Sequence, residues 1–168
     1  NAVNGVINII TKKAADTQGT LLSAGGGSFE QGFVGARYGG KINEETPFRV
    51  YAKGFTRDHM GTISRGNAND AWHSARGGFR LDHTRGRDVL TVQGDIFYNA
   101  FGDQLDKSLL STPIIQANAA RGHNEGGNIR LRWDRTYSNQ SSIMLQTYYD
   151  RVEYRLLTSS IFKAESFD

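Results

Sequence analysis

The sequence contains no cysteine, which excludes a disulfide framework, a cysteine-ligated metal and a thiol nucleophile. It also lacks an apolar run near the ~20 residues that a membrane-spanning helix requires. The mean hydropathy of −0.52 agrees with that absence and excludes a helical membrane protein. It does not exclude a membrane β-barrel, because barrel strands alternate lipid-facing and lumen-facing residues and therefore average to a hydrophilic value.

Charge of one sign is not concentrated anywhere in the chain. The 20 lysines and arginines are interspersed with 17 aspartates and glutamates, which leaves a net charge of +3. Nucleic-acid-binding proteins usually carry a basic block or stripe, and this sequence has none. We therefore expect no nucleic-acid partner.

The sequence offers little for catalysis or for a resident metal. Its four histidines are scattered, and none forms a His-x-x-x-His pair on one face. The glycines at 25–27 are not followed by a helix with a Lys-Ser/Thr pair, so they indicate a strand-loop cluster and not a phosphate loop. No spacing indicates a Ser-His-Asp triad. We expect no enzymatic activity, no metal site and no cofactor.

What the sequence does contain, from Val34 onward, is alternation of period two, which predicts amphipathic β-strands. The clearest strand covers 89–100. Its apolar positions are Leu90, Val92, Ile96, Tyr98 and Ala100, and its polar positions are Thr91, Gln93, Asp95 and Asn99. Further strands are predicted at 34–42, 48–57, 72–83, 127–137 and 141–150. Within 48–57, Tyr51 and Phe55 fall on the charged side and weaken the pattern. The sequence predicts an all-β antiparallel meander.

The connections between these predicted strands alternate in length. Tight polar turns are expected at 43–47, 85–88 and 138–140, and long loops at 58–71, at 102–125 and after Arg155. Outer-membrane barrels have short periplasmic turns and long outer loops, whereas a soluble meander has no reason to keep this asymmetry. The alternation favours part of a large transmembrane β-barrel.

The strands of a soluble β-sandwich or lipocalin-like barrel also alternate between apolar and polar residues. The composition of the two faces therefore has to distinguish a soluble sheet from a membrane barrel. The apolar face is diluted by small residues, namely Ala52, Gly54, Ala75, Gly77, Gly94 and Ala100. They would underfill the core of a small soluble barrel, whereas lipid chains conform to them. The polar face carries Arg76, Arg80, Asp95, Arg130, Arg132 and Asp134, which suits a wide lumen filled by a polar domain. A soluble β-sheet binding domain remains the alternative.

Aromatic residues are predicted near both ends of the strands. If the long loops lie outside the cell, Tyr98, Tyr149 and Trp72 lie near the outer ends, and Phe48, Trp133 and Tyr137 lie near the periplasmic ends. Aromatic girdles at the two membrane interfaces have this arrangement, although aromatic residues also favour strands in general.

The opening segment, NAVNGVINIITKK, has a nearly continuous apolar run that predicts a strand buried in protein. This segment resembles the closing strand of the plug domain in TonB-dependent outer-membrane receptors. The residues that carry the resemblance are Asn1, Val3, Asn4, Gly5, Val6, Asn8 and Ile10. The linker at 14–18 and the glycine-rich stretch at 19–27 are similar to the junction between plug and barrel in that family.

The resemblance implies that residues 1–18 are the end of a plug and its linker, and that 19–168 are the N-terminal part of the barrel. It also implies uptake of a scarce nutrient chelate, of the ferric siderophore, haem or cobalamin class, energised by TonB. The expected partners are outer-membrane lipid, the TonB complex and the chelate. About seven strands are predicted against the roughly 22 of a large transporter, so we expect other strands, from a longer chain or other chains, to complete the barrel.

Four residues are candidates for ligand binding because each is predicted to point into the lumen near the outer rim: Arg57, Arg76, Asn99 and Tyr148. Lumen arginines have two interpretations. They pair with the plug or with neighbouring strands, which we favour, or they attract an anionic chelate. A passive porin-like barrel would share the strands but lack the plug segment.

Overall fold

The protein is an all-β chain in the computed structural model, which describes residues 10–62, 66–108, 115–156 and 160–167. A single 3-10 turn, Ala15–Thr17, precedes the strands. The strands are β1 (Gly19–Gly25), β2 (Gly32–Lys41), β3 (Pro47–Arg57), β4 (Gly61–Thr62), β5 (Gly66–Asn67), β6 (Trp72–Arg85), β7 (Asp88–Ser108), β8 (Ile115–Ser138), β9 (Ser141–Leu156) and β10 (Ser160–Phe167). No helix in the described residues has the length and apolarity to cross a membrane.

Eight of these strands form one antiparallel sheet in the order β1-β2-β3-β6-β7-β8-β9-β10. The remaining two, β4 and β5, form a small hairpin within the connection from β3 to β6. Strands that follow each other in the sheet also follow each other in the chain, which confirms the predicted meander. In the described part of the chain the sheet is not closed, and β1 and β10 are its edges.

The predicted alternation corresponds to the two faces of this sheet, since residues directly opposite each other share a face. Val50 lies opposite Phe79, and Leu81 lies opposite Val92. The side that we call the apolar face carries Val34, Tyr38, Val50, Phe79, Leu81, Val92, Ile96, Tyr98, Ile129, Leu131, Ile143, Leu145 and Tyr149. The opposite side, the polar face, carries Arg37, Arg49, Lys53, Arg76, Arg80, Asp82, Asp95, Arg130, Arg132 and Asp134.

No protein packs over the apolar face in the described residues. Ile96 is 71% exposed and Leu145 is 60% exposed, and the only buried apolar residues described are Ala14 and Ala120. A leucine or isoleucine side chain loses about 1.5–3 kcal/mol of transfer free energy when it is left in water. Monomeric proteins in water rarely expose a contiguous apolar area of this kind.

The hairpin of β7 and β8 shows that the prediction of a long loop at 102–125 is wrong. The two strands pair as far as Ser108 opposite Ile115, beyond the points at which β6 and β9 end. Glycine, asparagine and aspartate in this stretch indicated a loop. The hairpin strands satisfy each other's backbone hydrogen bonds, so they continue without an apolar pattern.

Two other strands lie where the sequence predicts none. The glycine-rich β1 pairs with β2 along its whole length, although every one of its residues is exposed. At the other edge, β10 pairs with β9 where a long loop after Arg155 was expected. Backbone pairing with a neighbour, and not side-chain alternation, determines both strands.

The opening segment differs from its prediction where it is described. Asn1, Val3, Asn4, Gly5, Val6 and Asn8 lie outside the described residues. Residues 10–14 form no strand, and Ile10 is 85% exposed, so a buried strand is wrong at this end of the segment. The physical reason is that residues 11–17 bond to side chains and not to a neighbouring strand.

The two ends of the sheet differ, as predicted for the short turns and for the connection at 58–71 but not for the connection after Arg155. Short turns at 42–46, 86–87 and 139–140 share one end, which we call the short-turn end. The connection at 58–71 and the projecting β7–β8 hairpin lie at the other, the long-loop end. Gly86 has a φ of 58° in its two-residue turn, a conformation that glycine adopts without strain.

Asn69 attaches the 58–71 connection to the base of the projecting hairpin. Its Nδ2 donates to the carbonyl oxygens of Asp103 and Ala120, at 2.7 and 3.1 Å, and so bridges β7 and β8. Asn69 has a φ of 57°, which asparagine tolerates better than most residues. A Cβ at Gly102 would clash with the Asn69 carbonyl oxygen, so glycine permits this close approach.

We predict that Asn69→Gly, which keeps the backbone conformation and removes the side chain, releases this connection from the hairpin. The loss of two part-buried hydrogen bonds corresponds to about 1–3 kcal/mol of local opening free energy. Hydrogen exchange of residues 66–71 should accelerate accordingly. Asn139→Gly, in an exposed turn at the short-turn end, is the control. Equal exchange rates at 66–71 in the wild type and Asn69→Gly would contradict the bridging role.

Candidate functional site

Residues 11–18, which we call the docked segment, lie against the polar face of the sheet. The Nη1 of Arg80 donates to the Thr11 hydroxyl oxygen at 2.8 Å, and the Nη1 of Arg49 donates to the Lys12 carbonyl oxygen at 3.1 Å. The backbone N–H of Ala14 donates to a carboxylate oxygen of Asp82 at 2.7 Å. The polar face is therefore the face that holds another part of the chain.

Asp82 is the centre of this docking site. Its side chain is 10% exposed, and that of its partner Arg80 is 11% exposed, with 3.0 Å between the guanidinium and the carboxylate. The hydroxyl of Thr91, the residue directly opposite, donates to the same carboxylate at 2.9 Å. A carboxylate removed from water is costly unless donors surround it, and here three different residues supply them.

A glycine in β2 makes room for the docked segment. A Cβ at Gly39 would clash with the Thr17 carbonyl oxygen and would lie 2.9 Å from the Cα of Gln18. Gly39 is itself buried, as are Ala14 and Thr17. The segment therefore crosses the sheet at a point where only glycine permits contact between the two backbones.

A second arginine–aspartate pair on the polar face provides a comparison. Arg132 and Asp134 have the same spacing as Arg80 and Asp82 and are bonded at 2.7 Å, but their side chains are 43% and 32% exposed. The docked segment has no described contact with this second pair. The segment, and not the pairing itself, removes Asp82 from water.

Arg57, a candidate for ligand binding, lies at the long-loop end in an aromatic corner. Its guanidinium is 4.7 Å from the ring centre of Phe55 and 4.9 Å from that of Trp72, and it pairs with Glu30 at 3.2 Å. Phe55 and Trp72 meet edge to face at 4.8 Å. Trp72 therefore lies on the polar face, and the expectation that it belongs to an outer aromatic ring is wrong, because its register opposite Arg57 fixes its direction.

Asn99 lies close to this corner. Trp72 is opposite both Arg57 and Phe101, and Asn99 is two residues along β7 from Phe101 on the same face. The Asn99 Nδ2 donates to the Asn124 side-chain oxygen at 2.7 Å. The register thus places Arg57 and Asn99 at the long-loop end of the polar face, on strands separated by β6.

Arg76 lies further down the same face. Its guanidinium is 3.9 Å from the Asp95 carboxylate and 5.9 Å from the ring centre of Tyr51, and its side chain is 52% exposed. The Tyr51 hydroxyl donates to Asp95. This bond explains why Tyr51 interrupts the sequence alternation, since it serves the polar face.

Tyr148 is distant from the other three candidates. It lies opposite Arg130, whose guanidinium donates to the Gln93 side chain at 2.9 Å. Arg57 belongs to a row of residues that lie opposite each other across the sheet, and this row reaches β9 at Leu156. Leu156 is eight residues from Tyr148 along β9. Tyr148 shares instead the row of Arg49 and Arg80, the residues that hold the docked segment.

The described loops offer no metal site. The backbone N–H of His59 donates to Asp58 at 2.8 Å, and this bond holds the pKa of the Asp58 carboxyl below its usual range. The His59 ring nitrogen lies 2.7 Å from the same oxygen. Residues 10–62, 66–108, 115–156 and 160–167 contain no group of three or more histidine or acidic side chains that could hold a metal ion.

We predict that Asp82→Asn destabilises the protein more than Asp134→Asn. Removing the charge at Asp82 leaves a nearly buried Arg80 without its counter-ion and weakens the bond to Ala14, at a cost of about 3 kcal/mol. The exposed Asp134 pair contributes at most about 1 kcal/mol. Urea unfolding measures the difference, and proteolysis within residues 11–18 reports release of the docked segment. Equal losses in the two variants would contradict the role of Asp82.

Comparisons of the chain with protein families, with curated proteins and with solved structures give no significant match. The function is therefore inferred from the two faces of the sheet, from the docked segment and from the residues at the long-loop end.

Proposed function

We propose that this chain is part of an outer-membrane receptor, with residues 19–168 in the wall of a transmembrane β-barrel and residues 1–18 at the end of a plug. One observation supports this above all others. The polar face holds a segment of the same chain, while the apolar face is left uncovered. In a lipid-embedded barrel the plug occupies the polar inside and the apolar outside meets hydrocarbon.

In a soluble barrel or sandwich the covered and uncovered faces would be exchanged. Its apolar face would form the packed interior, and its polar face would be open to water. Here Ile96, Phe79, Leu131 and Ile143 are 71%, 42%, 38% and 49% exposed and do not converge. Hydrocarbon chains are the medium that fits such a surface, because they adapt to its mixture of large and small side chains.

We further propose that the receptor takes up a scarce nutrient chelate, of the ferric siderophore, haem or cobalamin class, and draws energy from TonB. The reason is the resemblance of the opening segment to the plug of that family, together with a recognition surface at the long-loop end. Arg57 and Asn99 present a cation and an amide beside aromatic rings, which suits a large, partly anionic ligand. The proposed activity is recognition and transport, not catalysis.

The two faces are tested by single cysteines, each the only thiol in the chain because the sequence has none. We expect spin labels at Ile96→Cys and Ile129→Cys to collide with oxygen dissolved in the bilayer. Labels at Asp95→Cys and Asn128→Cys, on the polar face, should respond less to oxygen and more to a water-soluble nickel chelate. The measurement is made by electron paramagnetic resonance in lipid vesicles. Labels on the apolar face that respond to neither reagent would indicate a dry protein core and a soluble domain.

We predict that Arg57→Gln, Arg76→Gln and Asn99→Ala weaken binding of a ferric siderophore, haem or cobalamin without unfolding the sheet. Tyr148→Phe, which lies away from these residues, should leave that binding unchanged and is the control. The loss of one hydrogen bond to a charged group lowers the binding affinity by about tenfold. Arg57→Gln and Asn99→Ala should have the largest effects, because these two residues lie nearest the long-loop end. Affinities that are unchanged in the variants of Arg57, Arg76 and Asn99 would remove these three residues from the site. Uptake that persists without an energised inner membrane would indicate a passive porin-like barrel.

A further inference from the structure

The short-turn end of the apolar face carries a cluster of basic and aromatic side chains on β6, β7, β8 and the turn between β6 and β7. We call it the rim cluster, and its members are Arg85, Arg87, Asp88, Trp133, Arg135 and Tyr137. Arg85 lies opposite Asp88, and Asp88 lies opposite Arg135, so these three residues occupy one row on the apolar face.

The members of the rim cluster are held by mutual contacts. The Trp133 indole N–H donates to Asp88 at 3.0 Å, and the Arg135 guanidinium lies 3.6 Å from the same oxygen. The Arg135 guanidinium also lies over the Tyr137 ring, 5.4 Å from its centre. Arg87 donates to the Tyr137 carbonyl oxygen at 2.9 Å. Two of the three arginines therefore have defined positions before any ligand binds.

Positive charge exceeds negative charge in the rim cluster. Three arginines face one aspartate, a net charge of +2. Arg85 and Arg87 are exposed, and the Arg135 side chain is 42% exposed. The neighbouring turn at 42–46 does not share this surplus, because Lys41 pairs with Glu44 at 2.7 Å and Glu45 is also present. The rim cluster can accept an anion.

Exposed apolar side chains begin directly beside these charges. Ile143 lies opposite Arg135 and is 49% exposed, and Leu145 lies opposite Trp133 and is 60% exposed. A ligand that fills both environments must have an anionic end and a long apolar end. Arginine binds phosphate with two parallel hydrogen bonds, and tryptophan and tyrosine favour the depth of lipid headgroups.

We propose that the rim cluster binds the phosphate group of an anionic phospholipid whose acyl chains lie along the apolar face. This inference rests on the proposed membrane location. It goes further by naming a lipid class and the residues that select it, at the short-turn end. Free phosphate could satisfy the arginines but would leave the adjacent apolar surface uncovered.

The test compares binding of the full chain to phosphatidylcholine vesicles with and without phosphatidylglycerol. We expect the anionic vesicles to bind more tightly and added salt to reduce the difference. We define the preference as the ratio of the affinities for anionic and for phosphatidylcholine vesicles. In the double variant Arg87→Gln/Arg135→Gln this ratio should fall by about fivefold for each arginine removed. The control, Lys53→Gln/Arg121→Gln, removes two charges from exposed residues outside the rim cluster and the docked segment and should keep the preference. Arg87→Gln alone, in an exposed turn, serves if the double variant fails to fold.

The outcomes separate this inference from the proposed function. A chain that binds neither vesicle type would refute the membrane location. Equal preference for anionic vesicles in the wild type and the arginine variants would overturn the lipid site while leaving the membrane location intact. Inorganic phosphate that abolishes the preference at the ionic strength of a chloride control would assign the rim cluster to a soluble anion. Retention of the preference in such a phosphate buffer would support the phospholipid.

Discussion

The constraint on which the rest of the structure depends is the uncovered apolar face of a one-layer sheet. Each strand of the eight-stranded sheet places apolar residues on this side, and the described chain contains no second layer to pack over them. Isolated from any other medium or partner, such a sheet would expose a large apolar area to water, which protein surfaces normally avoid. Whatever covers this face is therefore part of the folded state.

The polar face has the opposite chemistry and a partner that is described. Asp82 and Arg49 hold the docked segment through its backbone groups, and Arg80 holds it through the Thr11 hydroxyl. The contact therefore depends both on the path of the segment and on the Thr11 side chain. The exposed Arg132 and Asp134 pair has the same spacing in the sequence, and no described residue outside the sheet bonds to it. Charge on this face is thus partly structural and partly open for recognition.

The proposed receptor site and the proposed lipid site lie on opposite faces and at opposite ends of the same sheet. The long-loop end gathers Arg57 and Asn99 on the polar face, where a large ligand would enter a lumen. The short-turn end gathers Arg87 and Arg135 on the apolar face, where a bilayer would present its headgroups. Both proposals depend on the alternation of side chains along each strand, which assigns every residue to the polar face or to the apolar face.

The sequence by itself determined the strands with strong alternation, the assignment of their residues to two faces, and the short turns, because a side-chain period of two is a local property. It did not determine β1, β10 or the extension of β7 and β8, because pairing with a neighbouring backbone stabilises them without an apolar pattern. It also could not place the docked segment on Asp82, or Tyr148 away from Arg57. Those positions depend on register across several strands, which only the tertiary structure decided.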